Sequence, residues 1–260
     1  ARELFEETGI LLAEGASRVP GDARRRSRRA LLEGGLAWRA FLSENGLALS
    51  AALLHPAARW VTPPSAPLRF DARFFVAALP EGERAEVWPG ELSGGAFVPV
   101  GRALDLWAKG EILLHPPQLH PIRVLSRPGP PDLAALASPP ERERWIEFQE
   151  GVVLAALRTP TLPPATHTNA WIVSLDRGVA VVDPGAPDPE EQARLFAMLD
   201  ALAAEGRPAR EIWLTHGHPD HVGGVARLMA RYHIPLRAHP ETAALLPDGT
   251  GPVTPLADGD

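Results

Sequence analysis

The sequence predicts a mixed α/β (α+β) chain, and three observations lead there. From residue 151 onward, apolar strands and helices alternate. Residues 68–77 alternate apolar with polar and then turn apolar, the pattern of a strand entering a core. Between these zones lies a proline-dense stretch, with Arg127-Pro128-Gly129-Pro130-Pro131 at one end and Ser138-Pro139-Pro140 at the other. Proline at that density suits a semi-rigid linker. The expected division is a domain over 1–125, a linker and charged helix over 126–150, and a second domain over 151–260.

In chain order, apolar positions over 4–12 fit a helix ending near Gly9. A second helix is expected over 30–41, and the prolines of 60–67 predict extended chain. A charged helix is expected over 141–150. Residues 170–175 and 179–182 read as two strands turning at Asp176-Arg177-Gly178. Helical spacing over 189–205, a short buried strand over 211–214 and a helix over 222–232 complete the pattern. There is no internal repeat.

Hydrophobic content of 45% and charged content of 22% are ordinary for a globular protein. No apolar run approaches the roughly 18–20 residues of a membrane span, and no signal-peptide pattern is visible, so a cytoplasmic location is expected. A net charge of −6 argues against nucleic acid as the main partner. The basic run Arg24-Arg25-Arg26-Ser27-Arg28-Arg29 has no interleaved aromatics to stack on bases and reads as a solvated helix face. The chain has no cysteine, so a metal would be held by His and carboxylates. Lys109 is the sole lysine, which confines Schiff-base chemistry to that position.

The strongest chemical signal is Thr215-His216-Gly217-His218-Pro219-Asp220-His221, at a strand end and followed by Val222-Gly223-Gly224. Imidazole and carboxylate suit zinc-like ions. His216 and His218, separated by a glycine, can turn toward one ion, and Asp220 and His221 at the helix start can serve a second. Two such ions can share and acidify a water.

The stretch resembles the H-x-H-x-D-H signature of the metallo-β-lactamase superfamily. Thr168-Asn169-Ala170-Trp171-Ile172-Val173 is similar to that family's opening strand, and Val181-Val182-Asp183-Pro184-Gly185 to the strand that delivers an Asp beneath the metals. The resemblance implies two Zn²⁺, with His216 and His218 on the first and Asp220 and His221 on the second. It further implies that Asp220 orients the attacking water and that Asp183 supports the ligands from behind. The substrate would be an ester, thioester, lactone, lactam or phosphodiester. The family also needs a further His, a bridging Asp and a last His downstream. His233, at a helix end, and His239, in Arg-Ala-His-Pro-Glu, do not fit those contexts and are expected to be structural or exposed.

At the other end, Glu3, Glu6 and Glu7 fall at i, i+3 and i+4, so the carboxylates share one helix face and repel unless compensated. Hard cations such as Mg²⁺ relieve such repulsion, Arg2 can pair with the cluster, and Gly9 can close the helix in a left-handed conformation. Arg-Glu-Leu-Phe-Glu-Glu-Thr-Gly-Ile resembles the second half of the Nudix box. The resemblance implies Mg²⁺ or Mn²⁺ on Glu6 and Glu7, Glu3 as ligand or base, Arg2 as orienter, and Glu91 completing the site, with Glu86 and Glu111 behind it. Trp60-Val61-Thr62-Pro63, the stretch 69–75 and the stretch 110–117 are similar to the coenzyme A diphosphatase-like branch.

Together these resemblances imply part of a Nudix α/β/α sandwich followed by the N-terminal half of a metallo-β-lactamase αβ/βα sandwich. The expectation is a fragment of a longer bifunctional metallohydrolase acting on small molecules, cut at both ends, with no nucleic-acid or membrane partner. Two alternatives stand beside it. The Nudix half could be a non-catalytic ligand sensor, or the isolated chain an inactive structural piece.

Overall fold

The structure, a computed structural model, describes residues 1–66, 68–88, 92–257 and 259. The mixed α/β class expected from the sequence is what it has. Two compact units are present, one built from Ala1–Trp60, Ala72–Val100 and Arg127–Ser138, the other from Val61–Asp71, Gly101–Ser126 and Pro139–Asp260.

In chain order the elements begin with helices α1 (Arg2–Thr8), α2 (Gly21–Leu32) and α3 (Trp38–Glu44). Strands β1 (His55–Val61) and β2 (Asp71–Val76) pair as a two-stranded sheet. Helices α4 (Val100–Ala108), α5 (Pro116–Leu125) and α6 (Leu133–Ala137) follow. Helix α1 leaves through Gly9 at φ 72, as the glycine there implies. The core of the first unit forms around fully buried Phe5, which stacks on Phe41 at 5.2 Å and tilts against Trp38 at 5.9 Å. The single helix expected over 30–41 is instead two, because Gly34 and Gly35 in the turn between α2 and α3 cost too much backbone entropy to be held in a helix.

The basic run also departs from expectation. Arg25, Arg26 and Arg29 face solvent, but Arg24 and Arg28, four residues apart, share the inner face of α2. Arg28 is buried and donates to the carbonyls of Glu6 (2.8 Å), Glu7 (2.7 Å) and Glu86 (2.8 Å), closing the open carbonyls at the end of α1. Burial lowers its guanidinium pKa, with Glu86 opposing. Buried Glu83 plays the converse part, accepting from Leu11 N at 2.9 Å and pairing with Arg24.

The proline-rich stretch is not merely a spacer. Asp132 caps α6 by accepting from Ala135 N at 2.9 Å, and Leu136 is fully buried. The charged helix expected over 141–150 is a 3₁₀ turn (Glu141–Arg144) followed by a strand. Its charges are spent on tertiary pairs: Arg123 with Glu143 at 2.7 Å, and Arg123 and Arg142 each 3.5 Å from buried Glu147.

The second unit is organised by a seven-stranded sheet in sequential order, β3 (Ile146–Gln149), β4 (Val152–Arg158), β5 (His167–Leu175), β6 (Gly178–Val182), β7 (Ala209–Leu214), β8 (Leu236–Ala238) and β9 (Val253–Pro255). Pairing is antiparallel up to β6 and parallel from β6 onward. Helix α7 (Pro189–Ala204) is the first crossover, capped by Asp188 and burying Leu195, Leu199 and Leu202 at helical spacing. The helix expected over 222–232 is split into α8 (Pro219–Val222) and α9 (Val225–Tyr232), with α10 (Pro240–Ala243) before β9. Val179, Ala180 and Val181 of β6 are wholly buried, as expected of a central strand covered on both faces. Among the described residues no helix is long and apolar enough to cross a membrane.

Tyr232, the sole tyrosine, joins α9 to α7, its hydroxyl 2.9 Å from Asp200 Oδ1 and 3.3 Å from the Phe196 carbonyl. Burial, more than the Asp200 charge, pushes its pKa up to about 12. The folded pKa thus exceeds the unfolded value of about 10, so the stability from this group is full below pH ~10 and is lost as pH rises toward 12. Absorbance titration at the phenolate band should show one ionisation near 12, and a midpoint near 10 would contradict the burial described.

Candidate metal centre

Ligand candidates gather at the C-terminal ends of β6 and β7, where parallel strands of open sheets present their loops. Register sets this up: Val182 pairs with Trp213, so Asp183 emerges beside Thr215. Asp183 sits at φ 49, a left-handed conformation that Asp tolerates because its short side chain bonds locally. Its Oδ1 accepts from Thr215 N at 2.9 Å and its Oδ2 from Thr215 Oγ1 at 2.6 Å.

Ligand atoms of Asp183, His216 and His221 lie within 4.8 Å of one another, the group of three or more His and acidic side chains that forms among the described residues. His218 Nδ1 is 3.1 Å from His216 Nε2, and Asp220 Oδ2 is 3.7 Å from His221 Nε2. His218 and Asp220 thus adjoin the group, each beside one of its histidines, and Asp183 is buried. His221 Nδ1 is 3.0 Å from Asp183 Oδ2 and is a buried nitrogen with no hydrogen-bond partner. Clustered imidazoles, a carboxylate and an unsatisfied ring nitrogen fit a zinc-like cation.

Hydrogen-bond polarity decides which nitrogen of His216 is available. Ionised Asp183 can only accept, so Thr215 gives it its hydroxyl hydrogen. Thr215 Oγ1, 2.9 Å from His216 Nδ1, must then accept from that ring N–H. This leaves the lone pair on His216 Nε2, facing His218 and the cluster. Burial, then the neighbouring His221 and His218, hold the His216 pKa below its ordinary value against Asp183 and Asp220, a shift that favours the neutral form a metal needs. For Asp220, burial acts to raise the pKa but is outweighed by hydrogen bonding from Thr161, Thr168 and its own backbone and by the charge of His221, and the net shift is downward.

Residues 163–258 match the Metallo-beta-lactamase superfamily. Among curated relatives, the hydroxyacylglutathione hydrolase of Albidiferax ferrireducens is 42% identical over 26% of this chain and 24% of its own length. The enzyme of the same name from Hahella chejuensis is 35% identical over 39% of this chain and 36% of its own length. The chain thus spans roughly a quarter to a third of the relatives it matches. A Nudix hydrolase structure from Alicyclobacillus acidocaldarius covers 54% of this chain and 65% of that one, with 29% identity and a TM-score of 0.46, too low to assign a shared fold.

The matched segment, residues 163–258, contains every residue of the cluster. His233 lies outside the cluster as the left-handed C-cap of α9, and His239 caps α10, accepting from Glu241 N at 3.3 Å. In the first unit Arg2 pairs with Glu3 and lies 3.5 Å from Glu6, while Glu3, Glu6 and Glu7 form no group of converging ligand atoms. Glu86 docks on α1 through its backbone, its N–H donating to Thr8 O at 2.7 Å. Glu111 belongs to the other unit, and Glu91 lies outside the described residues.

Sequence reasoning missed the threonines. Thr215 adjoins the motif and could have been suspected from that adjacency. Thr168 reads only as the start of an opening strand, because it reaches Asp220 solely through the fold.

Proposed function

We propose that the metallo-β-lactamase segment belongs to a metal-dependent hydrolase that cleaves a thioester or related ester of a small molecule. The convergence of Asp183, His216 and His221 at the strand ends, with His218 and Asp220 beside them, carries this reading. The names of the hydroxyacylglutathione hydrolases support the thioester choice among acyl substrates. His216 and His218 would hold one Zn²⁺, and Asp220 and His221 a second. When bound, such ions supply Lewis-acid polarisation and make a water acidic enough to act near neutral pH.

The chain's own residues do the rest. Asp183, through Thr215, sets the tautomer of His216 and its aim. Asp220, held by the Thr168 hydroxyl at 3.1 Å, is available to accept a hydrogen bond from water and to orient it toward an electrophilic carbon.

The test is a panel comprising an acyl thioester, a carboxylic ester, a β-lactam and a phosphodiester, each assayed with the zinc-loaded chain. Thioester turnover is expected, and His216→Ala should abolish it. Wild-type turnover in His216→Ala would sink the reading. Zinc binding without turnover of any member would instead favour an inactive metal-binding piece.

A further inference from the structure

We propose that Thr168 is a positioning residue for Asp220, its hydroxyl hydrogen committed to the carboxylate because Thr159 supplies the hydrogen that Thr168 accepts. The inference rests on the metal-centre reading above and concerns what steadies one of its ligands.

Asp220 stands on α8, a four-residue helix too short to hold a side chain rigidly by itself. Across the sheet, Thr168 of β5 places Oγ1 3.1 Å from Asp220 Oδ2. A carboxylate only accepts and a threonine hydroxyl has a single hydrogen, so that hydrogen goes to Asp220. Thr168 Oγ1 is also 2.7 Å from Thr159 Oγ1, and with its own hydrogen spent it can take part only as acceptor. The order Thr159 to Thr168 to Asp220 is therefore directional. Thr168 is buried at 8% exposure, so water does not readily replace either partner. Register explains the placement: Leu157 of β4 pairs with Thr168, and Thr159 lies two residues further on. Outer partners that orient metal ligands affect affinity as well as rate.

The experiment titrates the metal-free chain with Co²⁺, following the visible bands, alongside Thr168→Val, Thr168→Ser and Thr159→Val, with thermal melting of each metal-free protein. Thr168→Val keeps the shape but not the donor and should weaken Co²⁺ binding by about 10–100-fold with altered bands. Thr168→Ser should retain wild-type binding. Thr159→Val, which touches none of the ligand candidates, should give a smaller loss.

Wild-type affinity in Thr168→Val overturns the proposal, as does a Thr168→Ser variant as impaired as Thr168→Val, since packing rather than the hydroxyl would then matter. Should Thr168→Val fail to fold, wild-type affinity in Thr159→Val overturns it. A wild-type chain that binds no Co²⁺ sinks the metal-centre reading itself, an outcome distinct from the others.

Discussion

Asp183→Asn should fold and yet bind zinc about 10–100-fold more weakly than the wild-type chain. The side chains match in shape, so the effect comes from lost charge and reversed hydrogen-bond direction rather than from packing. Thr215 N–H approaches Oδ1 at 2.9 Å, which obliges the new amide to keep its oxygen there. Its NH₂ then faces Thr215 Oγ1, at the position where Oδ2 now accepts at 2.6 Å. Thr215 must accept from the amide and turn its own hydrogen toward His216 Nδ1, which moves the imidazole proton to Nε2. The lone pair needed at the centre is lost. Competition with a chelator reads the affinity, and nitrogen NMR of the ring reads the tautomer. Unchanged affinity, or a proton still on Nδ1, would show that Asp183 does not govern His216.

Gly185→Ala should destabilise the second unit by about 3 kcal/mol or more and dismantle the centre with it. A Cβ at residue 185 would lie 1.7 Å from the Asp220 carbonyl oxygen, 2.4 Å from its carbon and 2.9 Å from His221 N. These are backbone atoms of the ligand-bearing turn, not flexible side-chain ends, so the loops after β6 and β7 would have to separate. The same interlock is fastened by Gly224 N donating to Pro184 O at 2.7 Å. Gly217→Ala makes the control: its nearest neighbour would be 3.6 Å away, ordinary contact, even though residue 217 stands between two ligand candidates. Denaturant unfolding should separate the two variants clearly. Equal stability for Gly185→Ala and wild type would mean that the loops are not in contact as described.

Some of this was readable in advance, for a reason of range. Helical and strand periodicity after residue 151 is a local property, and the turn at Asp176-Arg177-Gly178, α7 and β7 came out close to expectation. The misread segments are those where a distant partner wins. Residues 141–150 look like a charged helix until Arg123 and Arg142 claim Glu143 and Glu147, and Glu147, also holding Gly151 N at 2.9 Å, becomes a buried strand residue. The arginine run looks solvated until three backbone carbonyls are found for Arg28.

The sequence by itself supplied the candidate ligands: His216, His218, Asp220 and His221 lie so near one another that any loop between β7 and α8 brings imidazole and carboxylate together. Only the tertiary structure decided how those groups are aimed. Asp183 reaches Thr215 across 32 positions and Thr168 reaches Asp220 across 52, and both contacts depend on strand register and on glycines small enough to let backbones touch. Ligand identity is written in neighbouring residues, whereas proton direction depends on side chains that only the folded sheet brings within a hydrogen bond of one another.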